Sequence, residues 1–125
     1  MGKRIAEYLR DGNVVARFDG RMEYGPRALG NRSILYQPSD PSANEWLNKK
    51  MKRTEFMPFA PAVTVKLANR CFHGISGVEH AAKFMTITFQ CTDEMKRLCP
   101  GVVHVDGTAR PQLVEREVNP VYYDA

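Results

Sequence analysis

A mixed α/β (α+β) domain is predicted by three observations. Segments with helical spacing of apolar residues take turns with segments of apolar–polar alternation along the whole chain. The 125 residues, 43% of them hydrophobic, suffice for one core, and no repeat, low-complexity tract or linker divides them. The three cysteines, Cys71, Cys91 and Cys99, are odd in number and form no C-x-x-C pair, so neither a disulfide frame nor a zinc knuckle is expected to stand in for that core.

Residues 3–10 place Ile5, Tyr8 and Leu9 on one helical face, and Gly12 stands where that helix should stop. From 13 to 18 the chain alternates, with Val14, Ala16 and Phe18 on one side and Val15, Arg17 and Asp19 on the other, which predicts a half-buried strand. A second short strand is expected over 33–36, ended by Pro38. Asp40-Pro41 and the Ser42/Glu45 capping box then start a helix to about Arg53, with Ala43, Trp46, Leu47 and Met51 facing inward. Lys49 and Lys50 suit the helix dipole at its last turn. Pro58 and Pro61 make 57–61 an extended segment rather than a central strand, followed by a strand over 62–65. A short helix over 67–72, a loop over 73–80, a strand over 84–90, a helix capped by Thr92 and a strand over 102–106 complete the pattern. The tail from Asn119 reads as an edge strand or packed extension.

Bulk properties narrow the function. A net charge of +4 is too mild to announce a nucleic-acid binder and suits a small anionic ligand. No apolar run reaches the length of a membrane span, and the charged, amphipathic start MGKRIAEYLR is not a signal peptide. With reduced thiols, this predicts a cytoplasmic setting. His73 and His80, separated by glycines, match no standard metal-ligand spacing.

Two loops carry the chemistry. The first, GRMEYGPRALGNRSIL, follows the 13–18 strand and gathers Arg21, Arg27 and Arg32 beside Arg17 among Gly20, Gly25, Pro26 and Gly30. Glycines let backbone approach a ligand, and arginines supply fixed forks of donors for phosphate or carboxylate. Such a loop can hold an oxyanion; the plainer alternative is a tight turn whose arginines pair with surface acids. The second, HVDGTARPQ, brings the bare backbone of Gly107, the Thr108 hydroxyl, the Arg110 guanidinium and the Gln112 amide, with His104 and Asp106 on one strand face. Alone it is an ordinary Asp-Gly turn. If both strands lie in one sheet, the loops converge on a pocket near Lys52 and Arg53 fit for a phosphate or acyl phosphate. No G-x-S-x-G, Walker or H-E-x-x-H motif is present, so chemistry would rest on positioning and charge neutralisation.

GRMEYGPRALGNRSIL, the basic helix end followed by FMPFAPAV, and VVHVDGTARPQ together resemble, in the same order and over nearly the whole chain, the C-terminal domain of the O-carbamoyltransferases related to nodulation protein U and to the carbamoyltransferases of antibiotic biosynthesis. The resemblance implies a YrdC/Sua5-like fold, a twisted mixed sheet with helices around a concave basic pocket. It implies binding of carbamoyl phosphate and ATP and a part in forming carbamoyl adenylate. An N-terminal Kae1-like domain, the partner that would hold the metal, moves the carbamoyl group to a substrate hydroxyl. By the same resemblance Arg27, Asn31 and Arg32 contact phosphate or carbamoyl oxygens, Lys52 or Arg53 does so from the helix end, and Thr108 and Arg110 complete an anion clamp. Arg27, Arg32 and Arg110 would be the catalytic charges. Met85 lines the pocket, and His104 and Asp106 shape its wall.

The chain departs from the family in three places. It has no N-terminal domain, and so reads as a fragment without the acceptor site and metal-ligand histidines. Met57 stands where the family usually has arginine, and is expected to pack rather than bind. Residues 70–83 look individual to this chain, and no function is carried over to them. The competing classes are a YrdC-like nucleic-acid-binding module and a purely structural one; the basic run at 49–53 has no interleaved aromatic of the kind nucleic-acid binding favours.

Overall fold

The computed structural model describes residues 1–53 and 59–125. The expected path of 57–61 up to Pro58, and the packing of Met57, lie outside the described residues. The fold is mixed α/β, with short helices around small sheets: α1 (Gly2–Arg10), β1 (Val15–Phe18), β2 (Arg32–Leu35), α2 (Ala43–Lys50), β3 (Ala62–Thr64), α3 (Ala68–Cys71), α4 (Glu79–Ala82), β4 (Phe89–Gln90), α5 (Asp93–Leu98), β5 (Thr108–Ala109), β6 (Gln112–Val114) and α6 (Pro120–Tyr123). Among the described residues the strands form three two-stranded sheets. β1 and β2 are antiparallel, from Val15 opposite Leu35 to Phe18 opposite Arg32. β3 and β6 run parallel, and β4 and β5 antiparallel. No helix among the described residues is long and apolar enough to cross a membrane.

The core belongs to the second half of the chain. Ala68 from α3, Phe72 just after it, Ile75, Ala82, Phe89, Cys91, Met95, Val102, Ala109 and Leu113 close around one another, with the Phe72 and Phe89 rings 6.2 Å apart. Thr92 caps α5 as its sequence predicts, its hydroxyl accepting from the Met95 amide at 3.2 Å while donating to the Arg70 carbonyl. The α2 end is tied to this core through the 3-10 turn at 100–102. Asn44 donates to the Gly101 carbonyl at 2.5 Å, and a Cβ on Gly101 would lie 2.6 Å from the Asp40 carbonyl oxygen. Only a glycine permits that approach.

Several elements differ from expectation, each for a local reason. The 84–90 strand shrinks to Phe89–Gln90, because Met85 takes a positive φ of 55° and the Thr86 hydroxyl and Phe84 amide both bond back to the Ala81 carbonyl, closing α4. Met85, Ile87 and Phe89 therefore do not share one face. The 102–106 strand is absent. Pro100–Val102 is a 3-10 turn, and the Gly107 amide bonds the His104 carbonyl, so pairing resumes only at β5. His104 and Asp106 sit in that turn rather than on a strand. The tail is the helix α6, begun by Asn119, whose side chain accepts from the Tyr122 amide, and by Pro120 at its first position. Helix α2 is shorter at both ends than the expected 41–53.

In β1 the two faces sort as the alternation predicts, and the buried one is the face with the charge. Arg17 is 8% exposed, whereas Phe18 is 83% exposed on the outer face with Val14 and Ile34. A guanidinium is buried only when its donors are satisfied.

Candidate functional site

Arg17 lies between the hairpin and α6 and reaches four acceptors. Nη1 donates to the Gly30 carbonyl and, at 3.3 Å, to Asn31 Oδ1; Nη2 donates to Asp19 Oδ2 at 2.6 Å and to Asn119 Oδ1 at 3.1 Å. Its guanidinium also lies over the Tyr122 ring, 5.5 Å from the centroid. Burial pushes the Tyr122 phenol up to about 12, against the lowering effect of Arg17 and with a smaller upward push from Glu23. Gly30 packs on the same ring with a φ of 115°, and a Cβ there would lie 2.5 Å from it.

This frame holds the turn at 29–32 with all four of its amides and the carbonyls of Leu29, Gly30 and Asn31 satisfied. Glu23 Oε1 accepts from the amides of Leu29 (2.8 Å), Asn31 (2.6 Å) and Arg32 (3.1 Å), and the Gly30 amide donates to Ser33 Oγ at 2.9 Å. Gln112 Nε2 donates to the Leu29 carbonyl at 2.7 Å. Burial alone would raise the Glu23 carboxyl, but its backbone N–H partners outweigh that and hold it below the usual carboxylate range. Arg32 donates to the carbonyls of Asp19 (2.8 Å), Asn31 (3.0 Å) and Gly20 (3.0 Å) and stacks over Phe18 at 3.6 Å.

A cavity of about 820 Å³ opens beside this turn. Of the residues expected at the site, Arg27, Arg32, Arg53, Met85 and Arg110 line it. The two arginine loops thus meet although their strands lie in different sheets. Arg53 also places its guanidinium over the Phe59 ring, 5.2 Å from the centroid. Among the described residues, Arg27 and Arg110 make no ion pair and no hydrogen bond through their side chains, and the buried Nε of Arg110 has no partner. Burial, and then the Arg27 charge, draw the Arg110 guanidinium below its ordinary value. Two like charges facing one cavity with no acidic side chain among its described lining residues are an arrangement that an anion relieves.

The remaining expected residues lie elsewhere. Asn31 turns into the Arg17 network, its Nδ2 donating to the Arg21 carbonyl and its Oδ1 accepting from Asn119. Lys52 is exposed, with a φ of 52°, just past α2. His104, Asp106 and Thr108 form a local cluster. The Thr108 amide and hydroxyl both donate to Asp106 Oδ1, at 2.9 and 2.7 Å, and His104 Nδ1 lies 3.1 Å from Thr108 Oγ1. These bonds from Thr108 hold the Asp106 carboxyl below its ordinary value. None of these five residues lines the cavity. Sequence reasoning missed Glu23, Asn119 and Tyr122. An acid inside a glycine-rich basic loop, and an Asn-Pro pair fit to start a helix, were the signals available.

Comparison with known proteins bears on what such a site is for. A family model described as carbamoyltransferase C-terminus matches residues 6–125. An uncharacterized protein of Methanocaldococcus jannaschii is 44% identical over 119 residues, covering 94% of this chain and 19% of that protein. Nodulation protein NolNO of Sinorhizobium fredii is 38% identical over 125 residues, covering 99% and 18%. The 3'-hydroxymethylcephem-O-carbamoyltransferase of Streptomyces clavuligerus is 34% identical over 116 residues, covering 93% and 21%. The chain spans about a fifth of the length of these curated relatives. Both arginine loops and the cavity between them fall inside the matched span, and the chain belongs to the carbamoyltransferase C-terminal family.

Proposed function

We propose that this chain is the carbamoyl phosphate-binding part of an ATP-dependent O-carbamoyltransferase, and that it takes part in forming carbamoyl adenylate. The observation that carries the reading is the pair Arg27 and Arg110, which face one cavity without an acid partner among the described residues. Carbamoyl phosphate brings a dianionic phosphoryl group and a neutral carbamoyl end. Two planar guanidinium forks match the phosphoryl oxygens and spread their charge as the bond to the carbamoyl carbon weakens, with Arg32 and Arg53, which also line the cavity, adding to the field. Positioning and charge neutralisation suffice for such a step, which needs no side-chain nucleophile. The cavity leaves room for a ligand larger than phosphate, consistent with ATP as the second substrate.

In this reading the domain has the YrdC/Sua5-like architecture with a concave basic pocket. A Kae1-like domain of the same polypeptide is its partner, carries any metal and receives the carbamoyl group for transfer to a hydroxyl. The cytoplasm, where free Cys71, Cys91 and Cys99 stay reduced, is its setting. Calorimetric titration of the chain with carbamoyl phosphate, against inorganic phosphate and ATP, tests the proposal. Saturable binding that prefers carbamoyl phosphate is expected, and Arg110→Ala should weaken it more than tenfold, the order of a lost charged hydrogen-bond pair, with an unchanged urea midpoint. Normal binding by that variant would remove the anion clamp.

A further inference from the structure

We propose that Glu23 is a positioning residue for Arg27, acting by closing the arch from Glu23 to Leu29 on which Arg27 is carried. The inference rests on the ligand reading above for its functional consequence and on hydrogen-bond geometry for its cause. Within that arch the side chain of Tyr24 is fully exposed and Gly25 has a φ of 117°. Among the described residues, no hydrogen bond from residues 24–28 ties the arch down. What fixes its two ends is one carboxylate oxygen, Glu23 Oε1, which accepts from the Leu29 amide and then from the amides of Asn31 and Arg32. The far side of the turn is anchored to the body of the protein by Arg17, Gln112 and Ser33. Glu23 is therefore the joint between a fixed turn and an otherwise untied arch.

The chemistry suits the task. Three convergent N–H groups form a small anion site, and a carboxylate satisfies them better than water or a neutral group can. Because Glu23 fills this site from within the chain, the backbone amides of 29–32 are already spent, and a ligand phosphate must be met by side chains, Arg27 and Arg110. The loop that reads in sequence as a phosphate cradle instead keeps its own anion and holds the arginine out toward the cavity. Without Glu23 the arch would sample many conformations, and Arg27 would have to be ordered anew each time a ligand binds.

A double-mutant cycle separates this role from a merely structural one. Carbamoyl phosphate binding is measured calorimetrically for the chain and for Glu23→Ala, Arg27→Ala and the double variant, with amide hydrogen exchange followed at Leu29, Asn31 and Arg32 and, as a control, in α5. Glu23→Ala should weaken binding about tenfold in the parent chain and hardly at all when Arg27 is already alanine. The three loop amides should exchange faster and those of α5 should not change. Equal losses in both backgrounds, or no loss, would overturn the proposal. Should Glu23→Ala fail to fold, Glu23→Gln, which keeps one acceptor oxygen without the charge, runs the same cycle with a loss of a few-fold expected; undiminished binding would again overturn it. If the parent chain binds no carbamoyl phosphate, the ligand reading fails and the exchange arm decides alone. Faster exchange confined to the loop amides then supports Glu23 as the joint, and unchanged exchange rejects it.

Discussion

The two loops that bring arginine to the cavity look alike in sequence and are built on opposite plans. The first, 19–32, is held from far away: Gln112, Asn119 and Arg17 reach its backbone or side chains across 83, 88 and 13 residues. The second, 104–110, is tied mostly to itself. Its side-chain hydrogen bonds join residues two to four positions apart. Its backbone reaches only to the adjacent strand, where the Gly107 carbonyl accepts from the Cys91 amide and β5 pairs with β4, and Arg110 takes its place from the short link between β5 and β6. A loop fixed by distant partners presents its arginine only when the whole domain is assembled. A loop fixed locally carries its geometry wherever its strand goes. The site needs both, so its integrity follows the more demanding of the two.

The largest effect that would expose this contrast is expected from Arg17→Ala. Four acceptors would lose a buried charged donor, and breaking such a buried network costs about 4 kcal/mol. Urea unfolding should show that loss; a change below about 1 kcal/mol, the range of exposed contacts, would mean that the first loop is no more tightly held than the second.

Next in size is an alkaline weakness at Tyr122, whose ring packs on Gly30 of the first loop. Burial raises the folded-state pKa of the Tyr122 phenol to about 12, from the ordinary value of about 10. Stability from the neutral phenol is therefore fully present below about pH 10 and is lost as pH rises through about 12, roughly 2–3 kcal/mol in all. Thermal unfolding followed across this window should lose that slope in Tyr122→Phe. A variant that keeps it would show that the loss arises elsewhere.

Smallest is Thr108→Ala, which removes one hydroxyl from the local cluster and should lower stability by about 1 kcal/mol while leaving exchange at the 29–32 amides unchanged. Faster exchange there would show that the loops are coupled after all.

The same contrast explains what could be read in the sequence. Features decided by neighbours in the chain were legible: the Thr92 cap, the stop of α1 near Gly12, the existence of strands β1 and β2 and the mixed α/β class. Alternation sorted the faces of β1 correctly but could not say that the face with Arg17 is buried, because that depends on Asn119 and Tyr122. FMTITFQ has the pattern of a long strand, yet the closing bonds of α4 on Ala81 claim its first half. The strand Gln112–Val114 pairs in parallel with a segment remote in sequence, and so short a run carries no signal of its own. At the site, the arginines announce themselves by type. Glu23 does not, since its importance lies in three amides whose direction only the folded turn defines.

The dependence of the first loop on residues 112–122 also sets an order of events during synthesis. Residues 19–32 leave the ribosome long before Gln112, Asn119 and Tyr122 do, and until those arrive Arg17 lacks its Asn119 partner and aromatic cover and the Leu29 carbonyl lacks its donor. Contacts of such long sequence separation form late, after their loop-closure entropy has been met. The nascent domain therefore passes most of its translation with its basic loop open, and α6, arriving among the last, acts as the latch that turns a flexible cationic segment into a shaped one.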